Sequence, residues 1–119
     1  FGDVGLRNYI AGGERQTDIE KIMENVVYHH LVHLGYTVTV GQLRAGEIDF
    51  VCTRPNQRVY VQVAWLIDSD TTFKREFGAL QAINDAYPKY VISATPMLRS
   101  ANHEGITHIH LRKFLSEGF

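Results

Sequence analysis

Cysteine is almost missing from this chain: one residue in 119, Cys52. A lone cysteine excludes an internal disulfide and any cysteine-rich metal site. Its place inside an apolar strand run predicts a buried, inert thiol, which suits a reducing, cytoplasmic setting. Excess positive charge is missing too. Twelve Lys and Arg stand against thirteen Asp and Glu, for a net charge of −1. That excludes a domain held on nucleic acid by bulk electrostatics, while leaving room for a local basic patch. No apolar run approaches the roughly 18 residues that cross a bilayer, and no basic-then-apolar leader is read, so no membrane partner is expected. No phosphate-binding loop is read either: "AGGERQ" at 11–16 lacks the Lys-Ser/Thr that would reach phosphates and Mg²⁺. The first residue is Phe1 rather than Met, so a piece of a longer protein, or a processed form, is expected.

What is present describes one ordinary globular domain. The chain is 45% hydrophobic and 21% charged, and its length suits a single core without disulfide or metal staples. Residues 1–16 mix aromatics, glycines and charges, with Gly12-Gly13 as a loop. Thr17 or Asp18 then caps a helix whose apolar positions Ile19, Ile22, Met23, Val26, Val27, His30 or Leu31, and Leu34 follow the helical period, and Gly35 stops it. "YTVTVG" alternates as a strand closed by Gly41. "EIDFVCT" and "RVYVQVAWLI" form a hairpin around "RPNQ". Ser69 or Asp70 caps a second helix carrying Phe73, Phe77, Leu80 and Ile83 on one stripe, with Pro88 preventing its continuation. "KYVISAT" is a strand, "PMLRSANHEG" a loop, "ITHIH" a short strand, and "LRKFLSEGF" a short helix or tail. The order α-β-β-β-α-β, followed by a further strand and helix, packs most economically as an α/β fold with a mixed sheet flanked by helices.

Strand periodicity assigns the polar residues to faces. Glu47, Asp49, Val51 and Thr53 share one face of the first hairpin strand, and Ile48, Phe50 and Cys52 the other. On its partner, Arg58, Tyr60, Gln62, Ala64 and Leu66 oppose the apolar set Val59, Val61, Val63, Trp65 and Ile67. This register brings Asp49 near Gln62. On the first helix the apolar arc centres near Val26 and His30. Glu24 lies at its border beside Leu31 and Glu20, where a carboxylate can reach over the sheet. Taken alone, a helical Glu at such a border is a solvated flank residue. Glu24, Asp49 and Gln62 together, in this element order, carry more.

The helix "IMENVVYHHLVHLGYTVTVG", the strand "EIDFV", the stretch "YVQVAWLIDSDTTFKREFGALQAINDAYPKYVIS" and the opening "DVGLRN" together resemble the C-terminal domain of unknown function that follows a P-loop module in a large family of bacterial and archaeal AAA-type ATPases. The resemblance covers nearly the whole chain and implies a restriction-endonuclease-like core of the PD-(D/E)xK kind. It implies residues 1–16 as the linker from an absent ATPase module and 17–119 as the nuclease-like domain. Carried over by motif, the helical Glu is Glu24, the strand Asp is Asp49 and the Glu/Gln position is Gln62. The lysine two residues later is missing, because Ala64 stands there.

The chemistry explains the weight of that departure. Phosphodiester cleavage on this core needs a hard divalent cation such as Mg²⁺, held by carboxylate and backbone oxygens. Glu24 and Asp49 are the anionic ligand candidates, with the Val63 carbonyl as a third. Gln62 is a neutral and weaker donor. The lysine orients the attacking water or offsets developing charge, and losing such a group costs on the order of 10² to 10³ in rate. Lys74, at the start of the second helix, is the preferred migrated substitute. Arg75 is poorer at handling protons, since it stays charged. Glu76 falls inside the apolar stripe and is expected to pair with a nearby Arg.

Other signals are weaker. His29 and His33, and His108 and His110, share faces but lack accompanying ligands at zinc spacing. Trp65 reads as core. Tyr28, Tyr36 and Tyr60 could stack on bases, yet no basic stripe accompanies them. The expected function is a degenerate nuclease site used to bind DNA or RNA or to dock on the chain's own ATPase module, where any ATP would bind. The alternatives are an active Mg²⁺-dependent nuclease with a migrated lysine, and an unrelated small-ligand α/β domain.

Overall fold

The computed structural model describes residues 15–43, 46–96 and 102–119. Residues 1–14 of the expected linker 1–16, and the part of the expected loop at 97–101, lie outside the described residues, while Arg15 and Gln16 belong to the first helix. Helix α1 spans Arg15–His33, so it begins before Thr17 and Asp18, which lie in its first turn instead of capping it. Asp18 there meets the positive end of the helix dipole. The stop at Gly35 is as expected. Its φ is 96°, and the N–H groups of Gly35 and Tyr36 reach back to the carbonyls of Val32 and Leu31 at 3.0 and 3.2 Å. Those two bonds satisfy carbonyls at the helix end and require the left-handed residue that glycine tolerates.

Six strands follow: β1 Thr37–Leu43, β2 Gly46–Arg54, β3 Gln57–Ala64, β4 Lys89–Ser93, β5 Asn102–His103 and β6 Ile106–His110. Helix α2 spans Asp70–Gln81 and α3 spans Leu111–Glu117. The sheet runs β1-β2-β3-β4-β6-β5. β1, β2 and β3 are antiparallel neighbours, β3, β4 and β6 are parallel, and β5 pairs antiparallel with β6. This is an α/β domain with a mixed sheet flanked by helices. Several boundaries depart from expectation: β1 runs past Gly41, β3 ends at Ala64 instead of Ile67, the expected loop before residue 106 contains β5, and α2 ends at Gln81, well before Pro88. Ser69 caps α2, accepting from the Thr72 N–H at 3.2 Å.

Both faces of the sheet are covered. Met23, Val27 and Leu31 of α1 and Phe114 of α3 pack with Phe50, Cys52, Val59, Val61, Val63 and Ile92 on one side. Phe77 and Leu80 of α2 pack with Ile48, Tyr60, Ala64, Val91 and Ile106 on the other. Fully buried aliphatics of this kind contribute about 1.5–3 kcal/mol each. The supposedly polar face of β3 is therefore a second core, closed by α2.

One irregularity places the functional residues. In the β1–β2 ladder Thr39 faces Val51 but Gly41 faces Ile48, so Val40 alone stands opposite both Asp49 and Phe50. This β-bulge reverses the alternation. Ile48 joins the α2-side core while Phe50 and Cys52 join the α1-side core. The expectation that Ile48, Phe50 and Cys52 share a face is thereby corrected, since strict period-two counting fails across an inserted residue. Gly41 permits the close approach: a Cβ there would meet Val51 Cγ2 at 2.6 Å and Ile48 Cβ at 3.2 Å.

Candidate functional site

The β2–β3 ladder runs from Arg54↔Gln57 to Phe50↔Val61. At Asp49 side chains replace it. The Asp49 N–H donates to Gln62 Oε1 at 2.6 Å, and Asp49 Oδ2 accepts from the Val63 N–H at 2.8 Å. The bulge frees Asp49 from the alternation, and Gln62 props the two strands at the point where they separate. Gln62 also aims its amide at Glu76 Oε1, 3.4 Å away across the α2 face.

α1 supplies two more carboxylates. Its fully buried line is Met23, Val27 and Leu31, so the arc is rotated from the expected centre at Val26 and His30. Glu20 and Glu24, one turn apart, thus lie on the side that approaches the sheet. Glu20 Oε2 accepts from the Trp65 N–H at 3.2 Å, just past the end of β3. The Glu24 carboxyl is pushed up from 4.5 to about 7, first by burial and then by the negative charges of Asp49, Glu20 and Glu76, with Lys21 opposing. Asp49 is raised by burial and by Glu20 and Glu47, against the lowering bond from Val63. Glu76 is raised by burial, opposed by Arg75 and reinforced by Asp49 and Glu20. The charges of Glu20, Glu24, Asp49 and Glu76 thus form one electrostatic cluster, in which Glu24 is the carboxyl pushed up to about 7.

The cluster joins Glu24, Asp49 and Gln62, and adds Glu20 and Glu76. The sequence signal for Glu20 was its spacing four residues before Glu24. Glu76 pairs with Arg75 at 3.1 Å, as its place beside an arginine suggested. Lys74 is exposed on α2 and lies about 200° around the helix from Glu76. The cation that meets the cluster on α2 is therefore Arg75. Ala64 is wholly buried in the α2-side core.

The donor set suits a hard cation only in part. Asp49 keeps one oxygen beyond its bond to Val63, and Glu24 is a second carboxylate, a pair of the kind Mg²⁺ uses while retaining waters. Gln62 Oε1 is engaged by the Asp49 N–H, and the contact between Val63 and Asp49 is made by the N–H of Val63. Among the described residues no three His, Cys, Asp or Glu side chains converge as a metal-holding group.

The discounted side chains have structural partners. Cys52 is buried with its thiol pushed up to about 12 by desolvation. His108 Nε2 lies 2.6 Å from Ser93 Oγ, and burial with the nearby His110 brings it down to about 4. His110 caps α3 by accepting from the Arg112 N–H. His29 and His33 line an apolar groove of about 510 Å³ between α1 and Leu115, with no carboxylate in its lining. Tyr36 and Tyr60 are buried.

Fold and site together define an α/β mixed-sheet domain with a carboxyl cluster where two central strands part. No family model matches the sequence. It is similar to an uncharacterized protein of Haemophilus influenzae, 37% identical over 91 residues that make up 76% of this chain. The chain spans 22% of that relative's length. No described helix is long and apolar enough to cross a membrane.

Proposed function

We propose that this chain is a restriction-endonuclease-like module whose site has lost its lysine and now serves nucleic-acid binding or docking on an attached P-loop ATPase, in the cytoplasm. The observation that carries the reading is the parting of β2 and β3 at Asp49, with Gln62 spanning the gap and Glu24 of α1 within electrostatic reach of Asp49. A site of this shape would offer a cation and a phosphate an anionic centre at the edge of the hairpin. The relative's greater length leaves room in that protein for a further module.

Glu24 and Asp49 would hold Mg²⁺, which when bound would polarise a phosphate oxygen and acidify a water. Gln62 keeps Asp49 oriented. Ala64 offers neither charge nor proton, and Arg75 can offset charge but cannot relay a proton at neutral pH. Fast cleavage is therefore not expected, and the migrated-lysine alternative gains no support from the exposed Lys74. The test is Mg²⁺- or Mn²⁺-dependent cleavage of plasmid and single-stranded DNA, together with Mn²⁺ broadening of the Glu24 and Asp49 NMR signals. Expected are broadening at both residues and little or no cleavage. Robust cleavage abolished by Asp49→Ala would overturn the loss of activity, and absence of broadening would remove the cation.

A further inference from the structure

A second cleft borders the carboxyl cluster on the α1 side. It holds about 320 Å³ and is lined by Lys21, Glu24, Asn25, Tyr28 and Phe50. Lys21, Asn25 and Tyr28 fall four and three residues apart, so they form one stripe along α1. Glu24 belongs to both the cleft and the cluster. Tyr28 is 38% exposed, yet its ring is not loose. It packs against Phe50 at 6.1 Å between centroids and edge-on against His29 at 5.3 Å. Tyr36 and Tyr60 are buried, and Tyr87, 47% exposed, lies beside Arg58 in a different cleft, so Tyr28 is the tyrosine that lines this one.

We propose that this cleft seats one unpaired nucleotide of a single-stranded nucleic acid, with the base on the Tyr28 ring and a neighbouring phosphate on the Lys21 ammonium. The inference rests on the nucleic-acid reading above and names its substrate class. Stacking needs an open base face, which a duplex hides within its own stack. Asn25 is exposed at the cleft, and its amide offers both a donor and an acceptor to a base edge. Lys21 sits close enough to Glu24 for its charge to oppose that carboxyl's upward shift, so a phosphate would be received on the Lys21 side of an otherwise repelling cluster.

The experiment is fluorescence anisotropy of labelled oligo-dT, oligo-U and a DNA duplex, with and without Mg²⁺, across a salt series. Tyr28→Ala is expected to weaken single-strand binding by roughly five- to a hundredfold, and Tyr28→Phe to restore it. Lys21→Ala is expected to lower the slope of log affinity against log salt by about 0.7. The dT and U arms distinguish DNA from RNA as the source of the strand. Single-strand binding unaffected by Tyr28→Ala or Lys21→Ala would overturn the seat and leave nucleic-acid binding standing. Equal or tighter duplex binding would overturn the single-stranded preference, and absence of binding with and without Mg²⁺ would overturn both readings.

Discussion

Replacing Asp49 by asparagine separates two roles of one carboxylate. Oδ2 accepts the Val63 N–H at 2.8 Å, a role an amide oxygen can keep. Its negative charge is the second cause, after burial, that brings Glu24 from 4.5 up to about 7, and asparagine removes it. In Asp49→Asn the Glu24 pKa should fall yet stay above 4.5, because the desolvation remains. Between pH 4.5 and 7 the folded chain holds a proton on Glu24 that the unfolded chain has released, so stability drops as pH rises through that window. The drop should be shallower in Asp49→Asn. Asp49→Ala eases the same repulsion but leaves the Val63 N–H, at a residue only 3% exposed, without its acceptor, at a cost of about 1–3 kcal/mol. Carbon-detected NMR titration of the Glu24 carboxyl and urea unfolding at several pH values measure both effects. A Glu24 that titrates near 4.5 in the parent protein, or that does not move in Asp49→Asn, would refute the shared cluster.

Gly41→Ala should destabilise the domain by about 1–3 kcal/mol, since the new Cβ meets Val51 at 2.6 Å and the fully buried Ile48. The Asp49 amide signal should shift with it, and parental stability in urea would argue against a tight bulge. His108 contributes the opposite pH slope to Glu24. Its pKa of about 4 lies below the ordinary 6.5, so the unfolded chain binds the extra proton and stability falls as pH drops from 6.5 to 4. Glu24→Gln removes the compensating titration, so its thermal melts should show greater stability than the parent above pH 7 and a steeper acid loss below 6.5. A pH profile identical to the parent's would contradict the Glu24 shift, and a variant that loses no stability between pH 6.5 and 4 would contradict that of His108.

Much of the fold was legible because its signals are local. Gly35 after an apolar period marked the end of α1, Ser69 marked the start of α2, and Arg54-Pro55-Asn56-Gln57 marked the hairpin, with Asn56 at a φ of 62°. Each depends on a few neighbouring residues and on backbone preferences that hold in any context. The end of α2 was less legible, because Pro88 forbids a helix beyond it without saying how much earlier the helix stops. The bulge at Asp49 was not legible at all. Gly41, on another strand, permits the close approach there, and alternation read along β2 alone cannot register an extra residue.

The candidate site divides in the same way. By itself the sequence determined the residue types and their order: Glu24 on a helix, Asp49 and Gln62 on a hairpin, and alanine where a lysine would stand. Those facts follow from spacing along one chain. Only the tertiary structure decided that Glu20 and Glu76 join the cluster, that Arg75 instead of Lys74 meets it, and that Tyr28 lines the neighbouring cleft. Burial and charge repulsion arise between elements far apart in sequence, and the rotation of a helix about its axis is set by what it packs against.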